Sequence, residues 1–156
     1  MASFRITALP LEPFAELFDL SDAELAARSM RRVVATDNPG YPCRVSLVDA
    51  EVGERLMLLP FVHQPADSPY RASGPIYVRE RAVQAHPAVG EVPLLVRRRL
   101  LSFRAFDAAG VMLGAEVAEG RELEAVVGRL FDTEGVAYLH VHNAKPGCYS
   151  CRIDPV

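Results

Sequence analysis

The chain has 156 residues, a hydrophobic fraction of 50%, a charged fraction of 24% and a formal net charge of −3. That length suits a single domain over 1–156, able to bury about 70% of its unfolded surface. The acidic balance argues against a general nucleic-acid binder, and no apolar run approaches the ~18 residues that a membrane span needs.

The opening Met1-Ala2-Ser3-Phe4-Arg5 lacks a basic segment followed by a long apolar one, so no secretory signal is expected. Three cysteines are an odd number without framework spacing, which fits free thiols in a reducing, cytoplasmic setting. Ser3 to Leu9 alternates Phe4, Ile6 and Ala8 against Arg5 and Thr7 and predicts a strand ended by Pro10 and Pro13. Phe14, Leu17 and Phe18 recur at helical spacing. Ser21-Asp22-Ala23-Glu24 has the form of a capping box, with Leu20 and Leu25 placed for a hydrophobic staple, and predicts a helix from Asp22 to about Met30. Arg31 to Thr36 is expected to be a strand, and Asp37 to Pro42 is loop chemistry. Ser46 with Asp49 is placed to cap one helical turn.

Arg55 to Val62 is strongly apolar and predicts a buried strand, which Pro60 ends early or confines to an edge. His63 to Gly74 follows as a long polar loop, of a length often found at functional sites. Pro75 to Arg79 predicts another strand. Residues 81–90 carry no clear pattern. Pro93 is placed to open a short helix through Arg99. Leu101 to Asp107 and Val111 to Ala118 predict a hairpin turned at Ala108-Ala109-Gly110. Leu123, Val126, Val127, Leu130 and Phe131 form the apolar stripe of a helix over 121–132. The order of elements predicts an α+β fold: a mixed, mainly antiparallel sheet with two to four helices. Nucleotide-binding glycine motifs are absent.

The last twenty residues predict a second hairpin. Val136 to His142 alternates, Asn143 to Gly147 is a turn, and Cys148 to Ile153 returns. The expected pairing sets His142 opposite Cys148, His140 opposite Ser150 and Tyr138 opposite Arg152. One face then carries Leu139, Val141, Tyr149, Cys151 and Ile153 toward a core. The other carries Tyr138, His140, His142, Cys148, Ser150 and Arg152.

Three stretches, Pro39-Gly40-Tyr41-Pro42-Cys43-Arg44, His63 to Arg71, and His140-Val141-His142-Asn143-Ala144-Lys145, occur in that order. Together they resemble the bacterial family catalogued as domain of unknown function 1203, over nearly the whole chain. The resemblance implies one domain and supplies no activity and no catalytic residue.

The residues themselves point to three chemistries. The first is a transition-metal site, with zinc the natural example. His140 and His142 point the same way on a strand, and His63, Cys43 or Cys148 is placed to add a third ligand. The competing reading is that these histidines hydrogen-bond in a polar cleft. The second is a pocket for a small anionic molecule, formed by Arg44, His63, Asp67, Ser68, Tyr70, Arg71, Asn143, Lys145 and Arg152. Arg offers a planar fork to carboxylate or phosphate, although most such side chains are solvated or paired. Arg71→Ala would then weaken ligand binding with little change in melting temperature. The third is catalysis, with Cys43 in an exposed loop or Cys148 as nucleophile and His140 or His142 as base, weighed against buried inert thiols. Cys148 and Cys151 lie three apart on a strand, so they suit neither a zinc knuckle nor a redox pair. A protein-interaction module using Tyr138, Arg152 and Tyr77 on a flat face is the alternative to all three. Oligomeric state is not legible.

Overall fold

The computed structural model describes residues 3–156. Met1 and Ala2, where the stretch read for a signal begins, lie outside them. Among these residues the fold is α+β, with four α-helices and eight strands in two antiparallel sheets. The five-stranded sheet has the order β1-β8-β7-β5-β6: Phe4–Thr7 (β1), Tyr149–Pro155 (β8), Tyr138–Asn143 (β7), Leu100–Phe106 (β5) and Met112–Glu119 (β6). The three-stranded sheet has the order β2-β3-β4: Arg31–Val34, Arg55–Gln64 and Ala72–Arg79. The chain divides into two compact units. One comprises residues through Thr7, Val62–Gly74 and His86–Val156, and the other Ala8–Phe61 and Pro75–Ala85.

In the second unit, Glu12–Ala15 (α1), a short 3-10 turn and Asp22–Ala27 (α2) precede β2. The capping box forms: Ser21 Oγ accepts from the Glu24 amide at 3.2 Å, and the Ser21 amide donates to Glu24 Oε2 at 2.7 Å. Ser21→Ala is expected to cost about 1 kcal/mol, read as a lower urea midpoint with unchanged slope. The helix stops earlier than expected, because Ser29 adopts a left-handed φ of 58°. Leu25 enters a core with Phe14, Leu17, Cys43, Val45, Met57, Leu59, Ile76 and Val78.

Three expectations change in this unit. Ser46 and Asp49 cap no helical turn; the segment is an irregular turn with Leu47 at φ 51°. Strand β3 does not stop at Pro60 but runs on to Gln64. β2 pairs only with Arg55 to Leu58, so Pro60 lies past the end of that ladder and its missing N–H breaks no bond to it. Cys43 is not exposed. It is fully buried, and its Sγ accepts from the amides of Ser46 at 3.4 Å and Arg79 at 3.3 Å.

The first unit rests on the five-stranded sheet. One face carries Phe4, Ile6, Leu101, Phe103, Ala105, Leu139, Val141, Cys151 and Ile153, all buried. The alternation read from the sequence dictates this: those side chains share a face because their neighbours share the other. Leu123–Phe131 (α4) packs on β5 and β6 and buries Leu123, Val126, Val127 and Leu130 of the predicted stripe, with Phe131 at its partly exposed end. A shorter helix, Leu94–Arg97 (α3), follows Pro93, which acts as its cap rather than its first residue.

The loop after His63 is shorter than expected, 65–71, because β3 and β4 extend into it from both sides. It is fastened to the β5–β6 turn. Ser68 Oγ donates to the Gly110 carbonyl at 2.8 Å, and a Cβ on Gly110 would lie 2.3 Å from Ala66 Cβ. Gly110 also has φ +79°, a conformation that suits glycine. Gly110→Ala is therefore expected to destabilise by roughly 1–3 kcal/mol and to raise amide exchange across residues 65–71.

Candidate metal centre

The other face of the five-stranded sheet is polar, and the ladder decides which side chains share it. Ser102 pairs with His142, Arg104 with His140 and Phe106 with Tyr138. On the far side His140 pairs with Arg152 and His142 with Tyr149. Directly opposed residues project to the same face. His63, near the end of β3, completes the group from above.

This pairing corrects the expected register of the last hairpin. Val141 pairs with Cys151 and His142 with Tyr149, leaving Ser150 as an extra residue on β8. Such a bulge re-aims the side chains beyond it. Tyr149 therefore joins the histidine face instead of the core face, and His142 is opposed by its phenol ring rather than by the Cys148 thiol. Asn143 Nδ2 lies 3.5 Å from Cys148 Sγ, at the turn. The opposed Cys148–His142 pair read from the sequence is not formed.

His63, His140 and His142 each offer one ring nitrogen, and the three nitrogens lie within 4.8 Å of one another. Nitrogens bound to one tetrahedral zinc at 2.0–2.1 Å are about 3.3 Å apart, so the set would have to draw in by up to about 1.5 Å to hold one ion. His63 and His142 meet edge to face with centroids 4.9 Å apart, and His63 stacks on Tyr149 at 5.5 Å and 5°. His142 Nδ1 lies 2.9 Å from the Gly147 carbonyl. A carbonyl only accepts, so Nδ1 carries the proton and Nε2 keeps a lone pair, the arrangement that orients a metal-binding histidine. Nδ1 of His63 and Nδ1 of His140 are buried with no hydrogen-bond partner.

Burial and neighbouring positive charge favour the neutral forms of His140 and His63. Burial first, then His142, Arg152, His63 and Arg104, pushes the His140 pKa down to about 3. Burial and then Arg104 lower that of His63. The rings of Phe106, Tyr138 and Tyr149 lie 5.1, 5.2 and 5.3 Å from that of His140 and keep the surroundings weakly polar. Gln64 donates to Tyr138 Oη at 2.9 Å and ties the end of β3 to this face.

The two arginines on this face differ. Arg152 grips Asp154 through Nε and Nη2 at 2.7–2.9 Å and lies 4.0 Å over the Tyr138 ring. Its pKa is raised chiefly by that carboxylate. Arg104 is half-buried, its Nε reaches only Ser102 Oγ at 3.4 Å, and no carboxylate pairs with it among the described residues. Burial lowers its pKa.

The remaining candidates are dispersed. Arg71 is exposed and donates through Nη1 to the Pro65 carbonyl at 2.5 Å. Ser68 also accepts from the Tyr70 amide at 3.1 Å, and Tyr70 meets Phe106 edge-on at 6.3 Å. Asp67 and Lys145 are exposed. Asn143 pairs with Leu101, on the face opposite the histidines. Cys43 and Arg44 belong to the other unit; Arg44 is 1% exposed, with Nη1 on the Pro42 carbonyl. Arg104, Tyr149 and Gln64 escaped the sequence reading. The alternation Leu101-Ser102-Phe103-Arg104-Ala105 does mark Arg104 as facing away from the core, but nothing local places β5 beside β7.

The profile of a family described as "Protein of unknown function (DUF1203)" matches residues 40–154 of the 156. The chain belongs to that family. The match spans all three stretches that carried the resemblance, except Pro39, and all three histidines of the cluster. No curated protein and no solved structure matches the chain significantly. The DUF1203 profile thus brings no activity with it, and the chemistry has to be read from the cluster. No helix is long and apolar enough to cross a membrane among the described residues.

Proposed function

We propose that this DUF1203 chain binds a divalent transition metal of the zinc class through His63, His140 and His142. The observation that carries the reading is the convergence of three ring nitrogens within 4.8 Å, two of the rings having a buried and unpartnered Nδ1. A polar cleft with hydrogen-bonding histidines would leave fewer such atoms, since buried polar groups are nearly always paired. Three protein nitrogens leave at least one coordination position for water or a small anionic ligand, as in catalytic rather than structural zinc sites. Neutral imidazoles suit the role, because a ligand must shed its proton before it binds metal.

The same reading covers the setting. Three free thiols favour a reducing compartment, which we take to be the cytoplasm. We take the two units as one folding domain, since β3 and β4 each contribute residues to both. A single calorimetric transition would support this, and two would reject it.

The test is elemental analysis of untagged protein purified without chelators, beside His140→Ala. About one equivalent of zinc, iron or a related metal, lost in a folded variant, is the expected result. Absence of metal from folded protein, persisting after metals are added back, would remove the proposal.

A further inference from the structure

We infer that Arg104 is the anion receptor of this site and that its ligand is a small organic carboxylate bridging the guanidinium and the bound metal. The inference rests on the proposed metal centre and adds the class of ligand that completes it.

Two arginines stand on the histidine face, both opposite His140 in the ladder, Arg104 on one side and Arg152 on the other. Arg152 is neutralised by a bidentate grip on Asp154. Arg104 has no such partner: its Nε points to Ser102 Oγ, which leaves the edge formed by Nη1 and Nη2 for another group. A half-buried guanidinium without a counter-charge is costly, and a divalent ion beside it raises the cost. The three ligands are neutral imidazoles and bring no negative charge. No carboxylate among the described residues supplies the missing charge, which we assign to a ligand.

The fork geometry of Arg selects a planar, two-oxygen anion, which both carboxylate and phosphate present. The walls favour carboxylate. Phe106, Tyr138 and Tyr149 surround His140 at centroid distances of 5.1–5.3 Å, so ring surface dominates there and the two phenol hydroxyls are the donors those rings add. A dianionic phosphate would lose more hydration there than a singly charged carboxylate and find few hydrogen bonds to replace it.

Other features of the molecule carry less. A depression lined by Val52, Gly53, Glu54, Arg55, Glu80 and Arg81 has three of its four charged side chains already paired, Glu54 with Arg79 and Arg55 with Glu80. Cys43 is enclosed in its core without access.

The experiment titrates acetate, glycolate and inorganic phosphate, with acetamide as the neutral control, into zinc-loaded and metal-free protein by calorimetry. Wild type, Arg104→Gln, Arg104→Lys and Arg71→Ala are compared. Glycolate is expected to bind zinc-loaded wild type, and Arg104→Gln to weaken it roughly thirtyfold or more with zinc content unchanged. Arg104→Lys should recover part of the loss, having the charge but not the fork. Arg71→Ala should leave binding unchanged, since its Nη1 is held by Pro65. Tighter phosphate than glycolate, equal binding by Arg104→Gln, or zinc-loaded wild type that binds neither acid would overturn the inference. Protein that binds glycolate through Arg104 but takes up no zinc would sink the metal centre and the bridging while sparing the receptor. Should Arg104→Gln fail to fold, a result for Arg104→Lys equal to wild type would overturn the role of the fork.

Discussion

Zinc added to metal-free protein is expected to raise its melting temperature by about 5–10 °C at a hundredfold excess over Kd, and His142→Ala is expected to abolish the rise. The magnitude follows from linkage. A ligand at that excess stabilises the native state by about 2.7 kcal/mol, and a domain of this size gains about 2–4 °C per kcal/mol. His142 is the informative position because its ring is held in place: the bond from Nδ1 to the Gly147 carbonyl fixes the tautomer and aims Nε2. Loss of an outer partner of a metal-binding histidine already costs 10- to 100-fold in affinity, so loss of the ligand itself should cost more. His142 is also fully buried, so the variant starts from a lower melting temperature through packing alone. The comparison is therefore of the zinc-induced shift within each protein. An equal shift in His142→Ala would reject the three-imidazole centre.

Metal-free protein is expected to lose stability as pH falls below about 6.5. His140 has an ordinary pKa of 6.5 when unfolded and about 3 in the fold. Between those values the unfolded chain takes up a proton that the native chain refuses. Stability therefore falls as pH falls, by up to roughly 1.4 kcal/mol per unit, and the contribution is flat above the unfolded value. His63 acts with the same sign, since burial lowers its pKa too. Glu54, Glu116 and Glu124, whose pKa values are lowered mainly by Arg79, Arg129 and Arg97, contribute only nearer the carboxylate range. Urea denaturation of chelator-treated protein between about pH 7 and 5 thus isolates the histidines. His140→Phe should flatten the slope in that window. An unchanged slope would mean that His140 is protonated in the native state and is not held neutral by its surroundings.

Much of this protein was legible from local pattern. The capping box at Ser21 and Glu24, the stripe of α4 and the alternation of β7 depend on residues a few positions apart, and local backbone physics decides them. The histidine pair belongs to the same class, because a strand sends His140 and His142 to one side whatever lies around it. The end of an apolar strand marks His63 as a candidate ligand in the same local way. Tertiary structure decided the rest. Ser150 is an extra residue in the β7–β8 ladder, and no residue type announces it, so Tyr149 joins the histidine face and takes the place opposite His142 expected for Cys148. The loop rich in proline and glycine predicts an exposed Cys43, yet it is buried, as is the neighbouring Arg44. Cys43 is buried in a core with Met57, Ile76 and Val78, which are distant in sequence. Arg104 stands opposite His140 only because β5 lies beside β7, and no carboxylate pairs with it among the described residues. Backbone period alone settles which residues share a strand face or a helix stripe. Which faces meet, and which charges find partners, depended on long-range strand pairing, where a single extra residue redirects the side chains that follow it.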